Sequence, residues 1–145
     1  MTLVIGYGNP LRGDDGVGWA VAEALSHDLN GCDVVTVQVL LPELAESVAR
    51  SARAVFVDAR LGATPGRMST DVIVPTGSDA TSPGHGWGPG AVVHLAGQLY
   101  GWKGDAWLVS IEATRFGHGT GLSAPVAAVV PDAVAAVRRL ARAGP

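Results

Sequence analysis

Short apolar runs alternate with stretches whose apolar residues fall at helical spacing, and this alternation narrows the fold more than any other feature of the sequence. Thr2–Gly6 is a compact apolar run ending in glycine, the pattern of a buried strand. Gly16–Leu29 then carries Val17, Ala20, Val21, Ala24 and Leu25 at helical spacing, with Asp14 or Asp15 placed to cap its start. Asp33–Val39 is expected as a second strand and Pro42–Arg50 as a short helix with proline near its first position. Ala54–Val57 reads as a third strand ending at Asp58, and Arg67–Val74 as a fourth, at an edge. Ser82–Gly90 is too rich in glycine and proline for regular structure, and a helix is expected from Ala91 to Tyr100, closing at Gly101. Ala106–Ile111 is a further strand. The tail Ser123–Ala143 is helical, with Pro131 expected to start a second segment rather than lie inside one helix. The order β-α-β-α-β-β-α-β-α predicts an α/β fold: three layers, α/β/α, around an open, mostly parallel twisted sheet of about five strands with helices on both faces. No repeat, linker or break in composition divides the chain, so residues 1–145 are expected to form a single domain.

Composition excludes several classes. Hydrophobic residues make up 48% of the 145 positions and charged ones 16%, which is incompatible with disorder. The net charge of −3 steers the chain toward neither nucleic acid nor an anionic membrane. The one basic cluster, Arg138, Arg139 and Arg142, suits a solvated helix face. The single cysteine, Cys32, excludes an internal disulfide and a zinc–cysteine cluster. The apolar start has no basic region ahead of it, so it does not read as a signal peptide. No stretch approaches the roughly 18–20 apolar residues of a membrane span, so a soluble cytoplasmic domain is expected.

The chemistry concentrates in IGYGNPLRGDDGVG, residues 5–18, where five glycines surround Asp14 and Asp15. A glycine-rich turn after a strand suggests a phosphate cradle, but two carboxylates repel a phosphate. In open α/β sheets ligands bind beyond the carboxyl ends of the strands. Asp14 and Asp15 follow the first strand, Asp58 follows the third in VFVDA, and His85 lies in the loop before the next helix. Two carboxylates and an imidazole suit a divalent first-row metal and leave positions open for other ligands. Taken singly, each also has a plain role: a helix cap for either aspartate of the pair, a strand exit for Asp58, an exposed loop position for His85.

Other chemistries fit less well. A dinucleotide fingerprint needs a third glycine where Leu11 stands, and no acidic residue ends the second strand, VVTVQVLL. No G-x-S-x-G elbow is present. Cys32 has no evident base beside it and reads as structural. His94 falls inside a predicted helix and reads as structural, and His118 and Glu112 fit either the border of the cleft or plain exposed loop positions.

With these motifs in place, the sequence resembles the hydrogenase maturation proteases, endopeptidases that process the large subunit of nickel–iron hydrogenases. IGYGNPLRGDDGVG is similar to the family's opening motif, VFVDA to its second acidic motif, HGWGPGAVVHLAGQLYG to its histidine motif, and GHGTGLSAPVAAVVPDAV to its closing segment and last helix. The motifs occur in family order across almost the whole chain. The resemblance implies that Asp15, the second acidic residue of the pair, contacts metal together with Asp58 and His85, and that these three carry catalysis. It implies that the metal is nickel already inserted in the substrate, a hydrogenase large-subunit precursor, from which a short C-terminal peptide is removed. It further implies a monomer. One departure bears on substrate identity. Many members carry an acidic residue and a glycine-threonine segment after the second strand, where this chain has Gln38-Val39-Leu40-Leu41-Pro42-Glu43.

The expected mechanism is metal-assisted, aspartic-type peptide hydrolysis, with one carboxylate as general base. A module that recognises the nickel site without cutting the chain would keep the same three residues.

Overall fold

The computed structural model describes residues 1–26, 32–76, 87–114 and 116–142. Its strands are β1 (Thr2–Tyr7), β2 (Cys32–Val37), β3 (Arg53–Leu61), β4 (Met68–Val72) and β5 (Asp105–Ala113). Its helices are α1 (Val17–Leu25), α2 (Leu44–Ala49), α3 (Pro89–Tyr100) and α4 (Ala124–Arg142). The five strands form one sheet in the order β2-β1-β3-β5-β4. All pairings are parallel except β4 with β5, so the antiparallel strand lies at an edge, as the sequence predicted.

Strand alternation sorts the apolar side chains onto two faces. Val4, Val55, Val57, Val109 and Ile111 point to one side, where Val17, Val21 and Leu25 of α1 and Val126, Val134 and Val137 of α4 cover them. Leu3, Ile5, Ala54, Phe56 and Ala106 point to the other, under Ala45 and Val48 of α2 and Val92, Val93 and Ala96 of α3. The inner strands β1, β3 and β5 are buried on both faces and therefore read as apolar runs rather than as alternation.

The structure extends or revises several sequence boundaries. Strand β3 runs three residues past Asp58, because β5 stays paired with it as far as Leu61↔Ala113. Neither aspartate of the pair caps α1. A 3₁₀ turn, Gly13–Gly16, intervenes, and Gly16 takes the cap position with no side-chain bond. Pro42 precedes α2 rather than opening it, and its carbonyl accepts the Ala45 N–H at 3.0 Å. Pro131 lies inside one continuous helix and does not begin a second. Proline removes the N–H that would bond the Ala127 carbonyl. Both residues are exposed, so water can satisfy that carbonyl and the apolar face of α4 holds the helix together.

Candidate functional site

The sheet opens at the carboxyl ends of its two central strands. Strand β3 pairs with β1 only as far as Gly6↔Val57, while its pairing with β5 continues for four more residues. Asp58 is the first residue of β3 beyond its β1 partner. From β1 the chain turns to α1 on one face, whereas from β3 it runs by way of β4 to α3 on the other. Such a switch point leaves a crevice that neither connection fills.

Glycines let the first loop close down on this crevice. A Cβ on Gly18 would overlap the Val57 carbonyl oxygen and sit 2.9 Å from that of Tyr7, so the start of α1 rests directly on the ends of β1 and β3. Gly8, at φ +133°, lies against the Asp15 carbonyl oxygen, where any side chain would collide. The Asn9 N–H donates to Asp15 Oδ2 at 2.8 Å and fixes that carboxylate over the crevice.

Asp58 stands beside it, partly buried. Its pKa is pushed up to about 7, first because burial withdraws the carboxylate from water and further because of the negative charge of Asp15. The Ala59 N–H and the Tyr7 hydroxyl donate to Asp58 and act in the opposite direction. An acid poised near neutrality can exchange a proton with a reacting group under ordinary conditions. Perturbed carboxylates in clefts are a common mark of functional sites.

Asp14, adjacent in sequence, faces elsewhere. It is 5% exposed and accepts hydrogen bonds from the N–H and the hydroxyl of Ser123, each at 2.7 Å. His85 lies outside the described residues. The helix that follows it runs antiparallel to the central strands, since the Trp102 indole, just past its C-terminus, donates to the Ser51 carbonyl before β3. The first turn of α3, about 18 Å away along the axis, therefore lies toward the carboxyl ends. Among the described residues no three His, Cys, Asp or Glu side chains converge as a metal site, so Asp15 and Asp58 are brought together as a pair.

The remaining candidates separate clearly. Glu112 is not on an exposed loop: it lies in β5, 8% exposed, across from Arg60 on the strand face that carries Asp58. One of its oxygens is 3.9 Å from the Arg60 guanidinium, and the other, Oε2, is buried with no hydrogen-bond partner among the described residues. His118 is exposed and His94 half-buried on α3. Burial pushes the Cys32 thiol up, away from the reactive thiolate. Sequence reading missed Tyr7, which looked like one more apolar residue of the first strand. Its signal was position, as the last residue of β1 beside the acidic loop.

The segment after β2 leads into α2 through a turn pinned by the buried Leu40. Val39 and Leu41 on either side of it are exposed, as are Leu11 in the first loop and Leu61 at the end of β3. All four belong to the carboxyl end of the sheet.

No protein-family model matches the chain, and no curated protein is similar to it in sequence. Solved structures are. A nickel–iron hydrogenase maturation protease, HybD from Thermococcus kodakarensis, is 25% identical with a TM-score of 0.78, over 97% of this chain and 99% of that one. An endopeptidase from Escherichia coli is 26% identical with a TM-score of 0.76, over 94% and 88%. A hydrogenase 2 maturation peptidase from a Thaumarchaeota archaeon is 25% identical with a TM-score of 0.73, over 96% of each chain.

Proposed function

The chain belongs to the family of hydrogenase maturation proteases, and we propose that it is an endopeptidase that removes a C-terminal peptide from a nickel-loaded hydrogenase large-subunit precursor. The observation that carries this reading is the pairing of Asp15 with an Asp58 titrating near 7, at the crevice between β1 and β3. A peptide bond needs a base to activate water and an electrophile to polarise its carbonyl. Asp58 supplies the first. The nickel of the substrate supplies the second, or marks the precursor as ready for cutting.

The donor set suits that metal. Asp15 and Asp58 provide two oxygen ligands, and His85 would add an imidazole, a mixture that nickel accepts. A metal ion beside the pair also draws the proton from Asp58, since a positive charge favours the carboxylate form. Recognition and activation are thereby linked: near neutral pH the docked metal shifts Asp58 further toward the ionised form that a base requires. The exposed Leu11, Val39, Leu41 and Leu61 around the same end suit a folded protein partner better than a small solute. No described helix is long and apolar enough to cross a membrane.

The test is a mass measurement. The protein is mixed with nickel-loaded and nickel-free precursor, and the products are weighed. Loss of a C-terminal peptide from the nickel-loaded form alone is the expected result. Stable binding with no change of mass would replace the peptidase with a non-cutting recognition module.

A further inference from the structure

The acidic pair divides its work. Asp14 Oδ1 accepts the Ser123 N–H and Asp14 Oδ2 the Ser123 hydroxyl, both at 2.7 Å and from a residue 109 positions away. The same turn is fastened to the closing segment at two further points. The Gly13 N–H donates to the Gly119 carbonyl at 2.9 Å, and the Gly119 N–H to the Leu11 carbonyl at 2.8 Å. Four hydrogen bonds thus tie residues 11–14 to residues 119–123.

Beyond these bonds the turn is held by the Asn9 N–H on Asp15 Oδ2 and by the close approach of Gly8 to the Asp15 carbonyl oxygen. It is a 3₁₀ turn of four residues with no side-chain cap, and such turns have poorer hydrogen-bond geometry than an α-helix. Its own local bond from the Asp15 N–H to the Arg12 carbonyl is 3.2 Å long. Yet it carries Asp15, whose carboxylate must sit close to Asp58. Neighbouring Cα atoms are about 3.8 Å apart, so a displacement of Asp14 carries Asp15 with it.

We infer that Asp14 is a positioning residue: by gripping Ser123 it clamps the Gly13–Gly16 turn against the closing segment and so holds the Asp15 carboxylate in place beside Asp58. The inference rests on the proposed peptidase reading, in which Asp15 meets the metal-bearing substrate. Asp14 itself is buried, with both carboxylate oxygens engaged by Ser123. Its buried charge is satisfied inside the protein, and its contribution reaches the reaction only through its neighbour.

Steady-state processing of the nickel-loaded precursor by Asp14→Ala, Asp14→Asn and Ser123→Ala tests the inference, alongside thermal melts. Misplacing a reacting group by about 1 Å can reduce a rate about 100-fold. Asp14→Ala should therefore lower kcat about 100-fold and Ser123→Ala about 10-fold, in proteins still folded at the assay temperature. Asp14→Asn should fall between wild type and Asp14→Ala, because its amide oxygen still accepts the Ser123 N–H. If Asp14→Ala does not fold, the other two variants decide. Wild-type kcat in both of them, with lowered melting temperatures, would overturn the inference and leave the contact a purely structural tie. The ¹³C carboxyl resonance of Asp15 provides a readout independent of cleavage. It should move in Ser123→Ala, and an unchanged resonance overturns the positioning role. Wild-type protein that leaves the precursor at full mass would sink the peptidase reading instead, and the resonance would still decide whether Asp14 places Asp15.

Discussion

The Tyr7 hydroxyl, at the last position of β1, donates to the carboxyl of Asp58 on the neighbouring strand β3. This bond spans the point where the two central strands part, and it favours the ionised form of Asp58 against burial and the charge of Asp15. Tyr7 also meets the Phe56 ring edge to face, with centroids 6.4 Å apart, so its orientation is set by the core.

Tyr7→Phe should raise the pKa of Asp58 further, by about one unit, since it removes a donor to the carboxylate and nearly nothing else. If Asp58 is the base, the acid limb of the pH profile for precursor processing moves upward by the same amount. An unmoved limb would take Asp58 out of the proton transfer.

Asp58→Asn should abolish processing and also change how stability depends on pH. The ordinary carboxyl value is 3.8 and the folded one about 7. Between them the native state keeps a proton that the unfolded chain has released, so wild-type stability falls as pH rises through this window and levels off above it. The asparagine variant has no such proton. In metal-free protein it should gain on wild type from about pH 4 to pH 7, reaching about 2–4 kcal/mol. Urea midpoints across that range read the difference directly; a gap that stays constant with pH would mean Asp58 titrates normally.

Gly8→Ala should destabilise the protein by at least about 2 kcal/mol and reduce processing more than stability alone explains. At φ +133° a side chain is already strained, and its Cβ would collide with the Asp15 carbonyl oxygen. Relief can come only from moving the loop that presents Asp15. Denaturant unfolding close to that of wild type would mean the loop yields without cost.

Glu112→Met should leave stability equal to wild type or higher by about 1–2 kcal/mol. A buried carboxylate oxygen with no partner among the described residues is costly, and an apolar side chain of similar length removes that cost. The lost interaction with Arg60 is long, at 3.9 Å, and half exposed on the arginine side, so it contributes little. A loss of more than about 1 kcal/mol in urea melts would show that the carboxylate has a stabilising role its geometry does not display.

Much of this protein was legible before its structure. The alternation of apolar runs and helical spacing determined the element order, the layers and the edge position of β4, because burial on two faces or one leaves a period in the sequence. The same reading marked Asp14, Asp15 and Asp58 by their places after strands. Boundaries were less legible. The end of β3 depends on how far β5 stays beside it, and the continuity of α4 through Pro131 depends on a solvent-facing carbonyl and a buried opposite face.

What the residues by themselves could not decide was how two adjacent aspartates differ. Asp14 and Asp15 have the same side chain and nearly the same local context, so propensity and spacing treat them alike, and only the family resemblance singled out Asp15. Tertiary structure separates them, since a turn points consecutive side chains in different directions and long-range partners then fix each one. Asp14 meets Ser123 from the far end of the chain, and Asp15 meets Asn9 and the field of Asp58. The Tyr7 contact and the raised pKa of Asp58 arise in the same way. They depend on β1 ending where β3 goes on, a relationship that exists only once strands distant in sequence lie side by side.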